Sequence, residues 1–155
     1  MTSSKLLNET KVGDLGALIT MPPTLPKSAG LRQAVEAMLA HPLSLKTYVI
    51  DVEGNLVGVL TPESVMKLVA DRADARASSG KPLAAALDEA MGEGVEKALQ
   101  KPHPVKAATT LREALTIMLR ERLSDLPVVD EDYKLIGELV GLRLLEKYGG
   151  LVTKP

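Results

Sequence analysis

Apolar residues recur at helical spacing in two places along the chain. Leu31, Ala34, Val35, Met38 and Leu39 form one stripe, and Leu111, Ala114, Leu115, Met118 and Leu119 form the other. Each predicts an amphipathic helix with one buried face. Thr110 followed by Glu113 is a capping box for the second helix, while Ser28 or Gly30 is the candidate cap of the first. Each stripe is followed by a short polar loop and a run rich in β-branched residues, Thr47 to Val52 and Leu126 to Val129. Turn letters come next, Glu53-Gly54-Asn55 and Asp130 to Lys134, then a second apolar run through Gly58 or Gly137. The expected element is a hairpin. A further helix is expected from Pro62, with Thr61 as its N-cap, and from near Leu142. Thr24 to Lys27 and Pro104 to Lys106 are short extended candidates ahead of the stripes.

The unit strand, helix, strand, strand, helix therefore occurs twice. LRQAVEAML aligns with LREALTIML, and YVIDVEGNLVGVL with PVVDEDYKLIGEL, at an offset of about eighty residues. The expected boundaries are 9–77 for repeat 1, 78–84 for a linker and 85–149 for repeat 2. Val12 to Ile19 reads as leading into the first copy, and Leu83 to Met91 as a helix leading into the second. Between the copies, Asp71, Arg72, Asp74 and Arg76 read as a solvated helical face stopped by Ser78-Ser79-Gly80.

Composition narrows the chemistry. The 155 residues are 45% hydrophobic, with a formal charge of −1 and basic residues dispersed among acidic ones, which argues against nucleic acid as a partner. Three Tyr and no Phe or Trp offer no stacking platform for single-stranded bases. There is no Cys and there are two His, His41 and His103, each beside a proline, so no thiolate or histidine metal site is expected. The N-terminus has no signal or transit pattern, and no run is long enough to span a membrane, giving a cytoplasmic expectation. No nucleophile with a base and no metal-ligand set stands out, and Asp51 and Asp130 are accounted for as turn starters, so no enzyme is expected.

The run LREALTIMLRERLSDLPVVDEDYKLIGELVGLRLL resembles a CBS domain, the cystathionine-beta-synthase type repeat, and LRQAVEAMLAHPLSLKTYVIDVEGNLVGVLTPESVM looks like a second copy. Tandem copies form a Bateman module. The resemblance implies an α/β (α+β) fold, two β-α-β-β-α repeats packed through their sheets with pseudo-twofold symmetry. It also implies clefts that take AMP, ADP, ATP or S-adenosylmethionine as regulatory ligands, with no required cofactor. A homodimer, an energy-sensing role and a separate effector protein follow from the same resemblance. The alternative is a degenerate pair with empty clefts serving dimerisation or protein interaction.

The family's ligand signature places Ser or Thr, two variable residues and Asp after the glycine of the last strand, for phosphate and ribose respectively. Copy one reads Gly58-Val59-Leu60-Thr61-Pro62-Glu63-Ser64, with Ser64 standing where the Asp would be. Copy two, Gly137 to Arg143, keeps neither position. A basic residue ahead of the first hairpin strand is Lys46 in copy one, against Asp125 in copy two. The expected adenosyl site is thus Thr24, Lys46, Tyr48, Thr61 and Ser64, with Arg143 as the candidate for a second cleft.

Overall fold

The computed structural model describes residues 2–77, 80 and 82–149. In chain order the elements are α1 (Ser3–Glu9), a 3-10 helix (Val12–Leu18), β1 (Ile19–Thr20), β2 (Thr24–Pro26), α2 (Leu31–Leu39), β3 (Thr47–Ile50), β4 (Leu56–Leu60), α3 (Pro62–Ala77) and α4 (Leu83–Met91), followed by a second 3-10 turn (Val95–Lys97), α5 (Leu111–Glu121), β5 (Asp125–Val129), β6 (Leu135–Val140) and α6 (Gly141–Tyr148). Among the described residues the fold is mixed α/β with two three-stranded sheets.

The expected helices form for the expected local reasons. Thr110 Oγ1 accepts from the Glu113 amide at 3.1 Å, and Glu113 accepts from the Thr110 amide at 3.3 Å. For α2 the cap is Gly30, whose amide donates to Gln33 Oε1 at 3.0 Å. Asp51 starts its turn by accepting the Glu53 and Asn55 amides on Oδ1, and Asp130 does the same with Asp132 and Lys134. The tight reversal after Asp51 needs the positive φ of Gly54.

The chain divides into two compact units that do not follow the order of the repeats: residues 23–102 make one, and residues up to Pro22 together with those from His103 on make the other. The sequence between the copies thus does not simply lead onward. Val12 and Leu15 are buried with Leu111, Ala114, Met118 and Leu139 of the second copy. Val95 and Ala98 are buried with Leu31, Ala34, Met38 and Leu60 of the first. Val12–Ile19 packs with the later copy and the run after α4 with the earlier one. Segment 78–84 includes Ser78, Ser79 and Lys81, which lie outside the described residues.

Backbone pairing explains the exchange. The Val95 amide donates to the Ala29 carbonyl and the Leu31 amide to the Glu93 carbonyl, while Val12 and Leu111 pair in the same way with Thr109 and Thr10. Gln100 bridges Val59 on the edge of β4, and Ile19 pairs with Leu139 of β6. Both approaches require glycine. A Cβ on Gly58 would run into Leu99 and the Gln100 carbonyl, and one on Gly137 into Ile19.

Candidate functional site

Sheet register gathers most of the expected site residues within the 23–102 unit. β2 runs parallel to β3 with Thr24 beside Tyr48, and β4 runs antiparallel with Val59 opposite Tyr48. Because side chains alternate, Val49 and Leu60 enter the helical core while the row Thr24, Tyr48, Val59 belongs to the other face. Thr47 marks the core side, its hydroxyl donating to the Ala34 carbonyl at 3.4 Å. Lys46 and Thr61 flank the terminal pair Thr47–Leu60, just outside the paired strands. Lys46 is buried at 8% exposure, and Tyr48 at 1%. Thr24 also borders an apolar groove of about 480 Å³ with Leu25, Pro26, Ile50 and Val52.

Thr61 and Ser64 cap α3 reciprocally. The Ser64 amide donates to Thr61 Oγ1 at 3.1 Å and the Thr61 amide donates to Ser64 Oγ at 3.0 Å, the logic of a capping box with serine in the glutamate position. The Ser64 hydroxyl also donates to the Thr61 carbonyl at 3.0 Å. Its single proton and one lone pair are therefore committed to the helix end. Pro62 has no amide proton and Val65 donates to the Thr61 carbonyl, so among the described residues the Glu63 amide is the backbone donor left open in this first turn. The proton of the Thr61 hydroxyl is likewise uncommitted among the described residues, and Thr61 is partly exposed.

The other unit offers less. Gly141 donates its amide to the Ser124 carbonyl at 2.8 Å, which closes the start of α6, and a Cβ there would run into that carbonyl. Arg143 reaches along its own helix to Glu146 at 3.3 Å, an exposed i,i+3 pair. Asp125 is buried, with the Ser124 hydroxyl 3.1 Å from its carboxylate.

Two features escaped the sequence. Arg72 is not part of a purely solvated face: it grips Glu93 through two hydrogen bonds of 2.7 and 2.6 Å. That grip holds the Glu93 carboxyl below the ordinary glutamate range. Asp51 is also held low, chiefly by the Asn55 amide. The second feature is a small groove in which Ser64, Lys67 and Asp71 of α3 face Lys97 and Gln100. The spacing Ser64, Lys67, Asp71 signals one helix face, but nothing in the letters brings Lys97 to it.

The CBS domain family model matches residues 12–71 and 95–148, most of the chain, in two copies. This chain belongs to the CBS domain family. A CBS domain-containing protein from Thermotoga maritima superposes with a TM-score of 0.71 at 25% identity, covering 94% of this chain and 99% of that one. The CBS domain protein PAE2072 from Pyrobaculum aerophilum, complexed with AMP, gives 0.70 at 18% identity, with 92% and 96% covered. The chloroplastic CBS domain-containing protein CBSX1 of Arabidopsis thaliana is 49% identical over 35 residues, 23% of this chain and only 15% of that protein's length. The CBS repeats matched in sequence are thus not the compact units, because each exchanges its leading segment. Among the described residues no helix is long and apolar enough to cross a membrane.

Proposed function

We propose that this CBS pair is a non-enzymatic, cytoplasmic regulatory sensor that binds an adenosyl nucleotide on the 23–102 unit and reports occupancy to a separate effector protein as a homodimer. What supports the reading is the pairing of Thr24 with Tyr48 in the β2–β3 register, with Lys46 and Thr61 flanking the paired ends of β3 and β4 where α3 begins. In this reading the phosphate meets the Thr61 hydroxyl and the Glu63 amide under the Lys46 charge, at the favourable end of the helix dipole. The base rests toward Thr24. A relative of the same fold was solved with AMP, which agrees with this ligand class.

The test is calorimetry and thermal melting with AMP, ADP, ATP and S-adenosylmethionine. A ligand at a hundred times its dissociation constant stabilises the native state by about 2.7 kcal/mol. Thr61→Val and Lys46→Met should abolish most of that gain, and no stabilisation by any of the four at millimolar concentration overturns the reading. The commitment of the Ser64 hydroxyl to the cap favours a second reading, an interaction module without nucleotide. It expects a dimer on a sizing column whose melting and size ignore every nucleotide.

A further inference from the structure

We infer that the groove beside Ser64 is an oligophosphate subsite, so that the ligand of this unit is a nucleoside di- or triphosphate in preference to a monophosphate. The inference rests on the nucleotide reading above and narrows its substrate class. The groove, about 210 Å³, is bordered by Ser64, Lys67 and Asp71 of α3 and by Lys97, Leu99 and Gln100 of the exchanged segment. Neither Lys67 nor Lys97 has a carboxylate within ion-pair distance among the described residues, although five acidic side chains lie in this part of the unit: Glu63, one turn before Lys67 on α3, Glu96, beside Lys97, and Asp71, Glu89 and Glu93. Glu93 is gripped by Arg72 through both oxygens, and the Lys97 charge adds to that pull on its carboxyl from further away.

Two ammonium groups and the Gln100 amide therefore meet in one groove against a single lining carboxylate, Asp71. Carboxamide and ammonium donors around a concave surface suit a multiply charged acceptor chain. The position is also right for a tail. Ser64 is bonded to Thr61, where the first phosphate is placed, and Lys67 lies about 9 Å along α3 from Thr61 at 1.5 Å per residue. A monophosphate at Thr61 leaves the groove empty, whereas a longer chain leaving Thr61 enters it. Asp71 opposes the tail and sets the limit of the preference.

The experiment is titration calorimetry of the full chain at fixed ionic strength with AMP, ADP, ATP and inorganic tripolyphosphate, on the wild type and on Lys67→Ala, Lys97→Ala and Asp71→Asn. All three positions are exposed, so the fold is retained and is checked by melting. The expected result is ATP about tenfold tighter than AMP, with each lysine variant losing about fivefold for ATP and leaving AMP unchanged, amounts ordinary for partly exposed charged contacts. Asp71→Asn should tighten ATP, which a merely structural aspartate would not do. Equal affinity for AMP and ATP, or lysine variants that bind ATP like the wild type, overturns the inference and leaves the nucleotide reading standing. Lysine-dependent binding of tripolyphosphate without any nucleotide binding keeps the subsite and overturns the nucleotide reading. Binding of none of the four overturns both.

Discussion

Ser64 stands where the family's ligand signature has an Asp, and its hydroxyl is turned inward to finish the end of α3. A hydroxyl has one proton and two lone pairs, whereas a carboxylate has two oxygens and can serve a helix amide and a ligand together. Ser64→Asp should therefore tighten AMP about tenfold, in line with a charge-assisted hydrogen bond, without lowering the melting temperature, because an acid in the first turn suits the dipole. Calorimetry and melting read both effects. Ser64→Ala is expected to cost about 1 kcal/mol, as for a lost cap, and to leave adenosyl affinity unchanged. The missing Asp was legible from the letters. That its replacement is consumed locally was not, since a serine three residues after a threonine also fits a free side chain.

At the scale of elements, the long α3 shows where local reading stops. Its alternating charges read as a solvated face, and Asp71 and Asp74 are indeed exposed. Arg72 instead ties α3 to the loop after α4, in a bidentate pair with Glu93 whose own carbonyl receives the Leu31 amide at the start of α2. Because the folded state lowers the Glu93 pKa, the pair's contribution is present above the ordinary glutamate value, about 4.3, and is lost as pH falls through the lowered one. Glu93→Gln should accordingly melt lower than the wild type at neutral pH, with the difference shrinking as pH falls below about 4. A difference independent of pH would assign the loss to packing. Gly58→Ala tests the close approach on β4: the added methyl meets the Leu99 side chain and the Gln100 carbonyl, and overpacking of that kind costs about 1–3 kcal/mol. The α2 and α5 stripes, by contrast, were legible because a helix buries the residues that its own period aligns.

The whole molecule is set by the exchange of leading segments. Val12 and Leu15 are 0% and 1% exposed in the unit built on the second copy, and burying each contributes roughly 1.5–3 kcal/mol. Removing residues 1–20 is expected to unfold that unit first. Amide exchange should quicken in α5 and β6 while α2 and β3 keep their protection. Equal loss in both units would refute a division of this kind. Contacts such as Arg112 to Asn8, 104 residues apart, mean that the second copy is incomplete without the start of the chain. By itself the sequence determined the repeat, the helix and hairpin of each copy, the caps and the family, because those depend on neighbours within a few turns of chain. Only the tertiary structure decided which copy each leading segment completes, that Lys46 and Tyr48 are buried, and that Lys97 stands opposite Lys67. Such pairings arise when apolar surface from distant segments is buried together, and the spacing of letters does not record which distant surface will be used.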